Sequence, residues 1–183
     1  TQVATALEQP VQRAVAAIGA RQDVTVSPDG LPAWLETFRI IQAAEIWANH
    51  GAWIESIKPE FGRGIHDRLT WASNVKRENV EACREIQKMI KARLHGLIKD
   101  GDVLCVPTSP RVAPLKNTPT NEIEIKFRHQ AMCLLCIAGL GGLPQVSLPM
   151  STLDGLPIGL SLVGRPGADT QLLALAKQLM PNH

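Results

Sequence analysis

Two cysteines three residues apart, Cys133 and Cys136, are the side chains in this sequence that most suggest a chemical role. A CxxC pair can act as a redox couple or supply half of a zinc site. His129 lies four residues before Cys133, on the same face of a helix. A structural zinc site needs four ligands, and no second pair of cysteines or histidines follows at a suitable spacing. We therefore predict that these side chains pack in the core, and we expect no metal and no cofactor.

The serines and glycines offer no clear catalytic motif. Ser147, Ser151 and Ser161 fall in or beside predicted strands without a GxSxG elbow, so we predict structural roles for them. The glycine-rich run 139–142 follows a predicted helix and precedes a strand, whereas a phosphate-binding loop follows a strand and opens a helix. The histidines share no motif. The residues taken alone predict no catalytic residue in this sequence.

Composition and charge narrow the class of protein. The 183 residues are 45% hydrophobic and 20% charged, which is typical of a globular domain. A formal net charge of +2 with scattered basic residues predicts no direct nucleic acid partner. No apolar run approaches the roughly 18 residues that a membrane span needs, and the first residues do not resemble a secretion signal. We therefore expect a cytoplasmic location and no membrane association. Because the sequence starts at Thr1 without an initiator Met, we also expect a longer parent protein.

The hydrophobic spacing predicts strands interleaved with helices, which is an α/β fold. One continuous apolar run, 102–106, predicts a central strand buried on both faces, followed by a proline-rich loop that ends at Pro119. The four cysteines lack the spacing of a disulfide framework and predict free thiols. The other predicted elements are helices over 4–18, 32–57, 65–98, 121–140 and 168–179, and strands over 23–27, 145–148 and 158–163.

Two segments in the second half carry a family resemblance. The run from Val103 to Pro114, VLCVPTSPRVAP, resembles the pattern VLLxPTxPxxAP of amidase-signature enzymes. The run from Ala138 to Pro166, AGLGGLPQVSLPMSTLDGLPIGLSLVGRP, resembles the family's AGLPAISVP followed by GLPVGLQLVGRP. The resemblance implies a carboxamide hydrolase with a mixed β-sheet covered by α-helices. It also implies that residues 1–183 are the C-terminal portion of a single amidase-signature domain.

The same resemblance implies that this chain contains no catalytic residue of its own. Family members use a Lys and two Ser side chains, of which the second Ser is the nucleophile. The serine- and glycine-rich patterns that carry them, GGSSGG and GGSIRxP, have no match in 1–183. We therefore expect the chain alone to be inactive. Because it would lack neighbours for its strands and buried helices, we also expect it to self-associate, with a homo-oligomer as the result.

Two further segments, Ile54–Leu69 and Phe127–Pro149, are most similar to amidases of the indole-acetamide hydrolase type. The alternatives are an A-type subunit of glutamyl-tRNA(Gln) amidotransferase and a non-catalytic binding or interaction module. In the amidotransferase subunits an Asp holds the α-ammonium of glutamine, and that position falls on Met132 here. Met132, with Leu135 and Cys136, would instead form an apolar wall for an indole or alkyl group of a small-molecule amide.

Arg68 matches the family's Arg that binds the glutamine carboxylate. The predicted substrate-binding residues are therefore Met132, Leu135, Cys136 and Arg68. A surface ion pair is the alternative role for Arg68.

Overall fold

The structure is a computed structural model that describes residues 1–180. The α-helices of this part of the chain are α1 (Gln2–Ala6), α2 (Glu8–Ile18), α3 (Leu31–Ile57), α4 (Arg63–Ser73), α5 (Arg77–Leu97), α6 (Arg128–Gly141) and α7 (Asp169–Leu179). A π-helical segment, Glu122–Phe127, leads directly into α6. The strands are β1 (Leu104–Pro107), β2 (Gln145–Leu153) and β3 (Leu156–Val163).

The strands form one sheet in the order β1-β3-β2, and both neighbouring pairs are antiparallel. A hairpin joins β2 to β3 through Asp154 and Gly155, whose φ angles are 53° and 75°. An Asp-Gly pair suits such a turn because Gly accepts a positive φ freely and Asp tolerates it. The helices flank this sheet, which confirms the predicted α/β class.

Each face of the sheet carries its own hydrophobic core. On one face Leu160 and Leu162 pack with residues of α1, α2 and α7. On the other face Val163 packs with residues of α3, α5 and α6, including Leu94 and Ile137. Burying a side chain of this size contributes about 1.5–3 kcal/mol. The two cores therefore hold helices from both ends of the chain against β3.

The prediction of one long helix over 65–98 is wrong, because the chain turns between α4 and α5. The Asn74 side chain donates to the Thr70 carbonyl oxygen at 2.7 Å, and its backbone N–H donates to the Trp71 carbonyl oxygen at 3.0 Å. A side chain that bonds nearby backbone competes with the helical ladder and ends the helix. The helix predicted over 4–18 is likewise two helices, which meet at Leu7.

The predicted strand 23–27 is also wrong, since these residues join no sheet. Arg93 of α5 instead donates to the carbonyl oxygens of Thr25 at 2.5 Å and Val26 at 2.7 Å. A side chain from a distant helix thus supplies hydrogen bonds that a neighbouring strand would otherwise provide.

The prediction that β1 is central needs a similar correction, because β1 lies at one edge of the described sheet and β3 is its middle strand. The apolar run of β1 is only half-buried apart from Val106. The predicted strands 145–148 and 158–163 and the predicted helix 32–57 correspond to β2, β3 and α3.

Candidate functional site

Helix α6 brings three of the four predicted substrate-binding residues onto one face. Met132, Leu135 and Cys136 are spaced at i, i+3 and i+4, so their side chains are neighbours along the helix. The helix ends at Gly142, whose φ of 61° is the left-handed conformation typical of a helix C-terminus. Leu135 is 43% exposed, Met132 is half-buried against the core and Cys136 is 0% exposed. Of the three, Leu135 is the most accessible to a ligand.

Cys136 is a core thiol in this structure. Its Sγ donates to the carbonyl oxygen of Cys133 at 3.3 Å, one turn earlier in the helix. Burial raises the pKa of the Cys136 thiol to about 12, because the charged thiolate is poorly solvated there. The thiol is therefore neutral near pH 7, and its contact with any ligand would depend on movement of the surrounding core.

Arg68 lies in α4 and forms an ion pair with Glu124 of the π-helical segment. Its Nη1 is 2.9 Å from Glu124 Oε2, and the two side chains are 44% and 42% exposed. Glu124 lies in the π-helical segment, eight residues before Met132 of α6. The structure therefore places Arg68 in the surface ion pair that the sequence left open as an alternative.

A polar cluster that the sequence did not predict lies on the sheet, on the face that also carries Val163. We call Thr108, Gln145, Ser147 and Ser161 the hydroxyl–amide cluster. Ser161 of β3 is at its centre and is 0% exposed. Its Oγ is 2.8 Å from Thr108 Oγ1 and 2.9 Å from Ser147 Oγ, and Gln145 Nε2 donates to it at 2.9 Å.

The register of the sheet explains why these four side chains meet. Ser147 is directly opposite Ser161, and the Thr108 N–H donates to the Gly159 carbonyl oxygen at 2.9 Å, which places Thr108 beside Gly159. Alternate residues of a strand face the same side, so Gln145 joins Ser147 there. In the sequence these residues appear only as polar side chains at alternate positions of otherwise apolar strands. Without the strand register, the sequence does not show that the four side chains meet.

The hydroxyl–amide cluster has hydrogen bonds but no base within it. Its groups are hydroxyls and a carboxamide, so nothing in it can take a proton from a serine to form a nucleophile. Its bonding agrees with the structural role predicted for Ser147 and Ser161.

Between residues 1 and 180 no group of three or more His, Cys, Asp or Glu side chains is placed to hold a metal ion. The four cysteines are free.

No helix among the described residues is long and apolar enough to cross a membrane.

An open cleft of about 440 Å³ lies where α6 ends and α7 begins, lined by Gly142, Pro144 and Asp169 among others. The predicted residues Met132, Leu135, Cys136 and Arg68 are not among those that line it. The cleft and the α6 face are therefore separate features.

Comparison with known proteins decides the family. The sequence profile named Amidase matches residues 11–173, which is most of the chain. The chain belongs to the amidase family. It is 37% identical over 161 residues to "Amidase 1" of Arabidopsis thaliana, covering 86% of this chain and 38% of that protein. This chain thus spans about two fifths of the length of that relative.

Two further proteins are similar to this chain, one in sequence and one in fold. The chain is 29% identical over 144 residues to "Outer envelope protein 64, chloroplastic" of Arabidopsis thaliana, covering 79% of this chain and 24% of that protein. Its fold matches that of the A-type subunit of glutamyl-tRNA(Gln) amidotransferase from Thermotoga maritima with a TM-score of 0.69 and 20% identity, over 95% of this chain and 37% of that one. Proteins with different names thus resemble this chain in sequence or in fold, and the fold alone does not select a substrate.

Proposed function

We propose that the protein containing this chain hydrolyses a carboxamide to a carboxylic acid and ammonia. Residues 1–183 would form the C-terminal portion of its single amidase domain. The observation that carries this proposal is the match of the Amidase family across residues 11–173. The test is ammonia release from simple amides by the protein in its full natural length. A purified protein that binds amides but releases no ammonia would instead favour a non-catalytic binding module.

The 183-residue chain alone should show no amidase activity. Supporting this, the clustered serines have hydroxyl and amide neighbours but no base, so they lack the means to become nucleophiles. The experiment compares hydrolysis of an arylamide by this chain and by the full-length protein. Saturable hydrolysis by the chain alone, blocked by a serine-directed inhibitor, would disprove this part of the proposal.

The acyl group of the substrate should be apolar or aromatic. Met132, Leu135 and Cys136 carry no formal charge, so the face they share offers no partner for the ammonium of glutamine. Arg68 would have to leave its ion pair with Glu124 to bind a substrate carboxylate. The A-type subunit of glutamyl-tRNA(Gln) amidotransferase remains the second candidate, because the chain is also 28% identical over 95 residues to such a subunit.

We also propose that the isolated chain self-associates as a homo-oligomer. In the described part, β1 and β2 each have one paired edge and one open edge. Several large apolar side chains are exposed as well, including Ile57 at 64% and Ile125 at 67%. Open strand edges and exposed apolar groups favour association. Light scattering should report a mass above 19.9 kDa, and a strict monomer at high concentration would contradict the proposal.

A cytoplasmic location also remains a proposal. It is supported by the lack of a membrane-spanning helix among the described residues, but one relative is named as a chloroplast outer envelope protein. Cell fractionation with an antibody against this chain would decide between the cytosol and a membrane fraction.

A further inference from the structure

We propose that a pocket between α2 and α7 binds a small organic ammonium ion, that is, a protonated amine with an apolar body. The pocket has a volume of about 260 Å³ and is lined by residues of α2, of α7 and of the segment before β1. We call it the α2–α7 pocket. It shares no lining residue with the α6 face or with the cleft at the end of α6. The inference goes beyond the proposed amide hydrolysis and does not depend on it.

Apolar side chains form most of the wall of the α2–α7 pocket. Leu172 of α7 and Ala168, directly before α7, are 3% and 6% exposed, and Leu175 is half-buried. Helix α2 contributes Ala17 and Ile18. Ile18 is 42% exposed, so apolar surface remains at the pocket for a ligand to cover. The wall therefore favours a ligand with an apolar body.

The volume of the pocket limits the size of that body. An apolar cavity of about 150 Å³ in another protein holds one benzene molecule, whereas sites for drug-sized ligands span about 300–1,000 Å³. A pocket of about 260 Å³ therefore suits a single six-membered ring with a short substituent. A larger ligand would extend into solvent without gaining further contacts with the wall.

Asp102 brings a negative charge to the same pocket. Its Oδ2 accepts from the backbone N–H of Lys99 at 3.1 Å, which orients the carboxylate. Asp102 forms no ion pair with any residue between 1 and 180. Arg165 follows Gly164 of the pocket, but it is already paired with Asp100 at 3.0 Å. An oriented carboxylate without a basic partner favours a cationic ligand.

The other polar groups around the pocket also suit a hydrogen-bond donor. Ala17 and Ile18 are the last two residues of α2, and the C-terminal end of a helix carries a partial negative charge. The N-terminal end of α7 carries the opposite partial charge, which Asp169 in its first turn offsets. Gln171 lines the pocket and makes no side-chain hydrogen bond among the described residues, so its amide oxygen can accept from an ammonium group.

The test is titration calorimetry of the full-length protein with benzylamine, an alkylamine that is protonated near pH 7. Benzyl alcohol has the same shape without the charge, and methylammonium has the charge without the ring. We expect benzylamine to bind about twofold to fivefold more tightly than benzyl alcohol, the range of an exposed ion pair. It should bind at least about tenfold more tightly than methylammonium, because the pocket buries the ring.

Two variants with matched controls locate the binding. Ala17→Leu places a larger side chain in the pocket and should weaken benzylamine binding at least about tenfold, whereas Ala16→Leu, at the preceding exposed position, should not change it. Asp102→Asn removes the charge but keeps an acceptor for the Lys99 N–H, and it should weaken binding about twofold to fivefold. Asp154→Asn makes the same charge change in the β2–β3 turn and should leave binding unchanged.

Benzylamine binding that both Ala17→Leu and Asp102→Asn weaken, with both controls unchanged, upholds the proposal. Three results refute it: no benzylamine binding to the full-length protein, binding that Ala17→Leu leaves unchanged, and equal affinity for benzylamine and benzyl alcohol. Urea unfolding checks that Ala17→Leu is folded, and if it is not, Asp102→Asn alone decides. Because the readout needs no turnover, a protein that hydrolyses no amide would fail the proposed function and still test the pocket.

Discussion

Replacing Gly159 by alanine should strain the middle of the sheet. Gly159 lies in β3, and the added Cβ would meet Thr108 Oγ1 at 2.7 Å, Thr108 Cβ at 2.9 Å and the Leu148 carbonyl oxygen at 3.4 Å. Overpacking of this kind costs about 1–3 kcal/mol. Displacing Thr108 would also break its hydrogen bond to Ser161, which adds about 0.5–1.5 kcal/mol. We therefore expect Gly159→Ala to lower the free energy of unfolding by about 1.5–4.5 kcal/mol.

A double-mutant cycle tests whether this strain arises at Thr108. Thr108→Ala removes the Oγ1 contact but keeps the Cβ contact, so it should relieve part of the clash. We expect the double variant to be more stable than the sum of the single changes predicts, by about 1 kcal/mol. Urea unfolding of the full-length protein measures the three variants, with a midpoint shift of about 0.5 M or more for Gly159→Ala.

The matched control is Gly96→Ala in α5, where an added Cβ meets nothing within 4 Å. This change should stabilise the helix by up to about 1 kcal/mol. A strictly additive cycle, or a Gly159→Ala variant as stable as the wild type, would refute the reasoning about the crowded contact with Thr108.

Two further predictions concern a buried thiol and the loop before α3. Burial raises the pKa of the Cys136 thiol from 9.0 to about 12. Its contribution to stability is therefore complete below about pH 9 and is lost as the pH rises from 9 towards 12. The urea midpoints at pH 8 and pH 10 should differ less in Cys136→Val than in the wild type. Arg93→Ala should cost about 1–2 kcal/mol and speed amide hydrogen exchange around Thr25 and Val26, whereas unchanged exchange there would show that Arg93 does not hold this loop.

Patterns within a single element are the predictable part of this fold. The helical spacing in α3 and the alternation in β3 are readable because each depends on residues close together in sequence. The break between α4 and α5 depends on one side chain, Asn74, which bonds the preceding turn, and no periodic pattern shows it. The β-type residues around Val26 favour a strand, but the hydrogen-bond partner of this segment, Arg93, lies 67 residues away.

The candidate sites, too, can be predicted from the sequence only where they depend on residues close together in the chain. The shared face of Met132, Leu135 and Cys136 follows from helical spacing alone. The partner of Arg68 is Glu124, 56 residues further along, so this pairing depends on the tertiary structure and not on a local sequence pattern. The hydroxyl–amide cluster draws on β2, β3 and the residue after β1, so its existence depends on strand register. Register in turn depends on the core faces and the hairpin turn.

The most direct measurement is a kinetic comparison of indole-acetamide and glutamine as substrates of the full-length protein, with ammonia release as the readout. A buried ammonium without a counter-charge costs several kcal/mol, which corresponds to a preference on the order of a thousandfold. Because Met132 offers no such charge, we expect the specificity constant for indole-acetamide to exceed that for glutamine by about this factor. A specificity constant for glutamine equal to or above that for indole-acetamide would contradict the proposed amidase with an apolar acyl site.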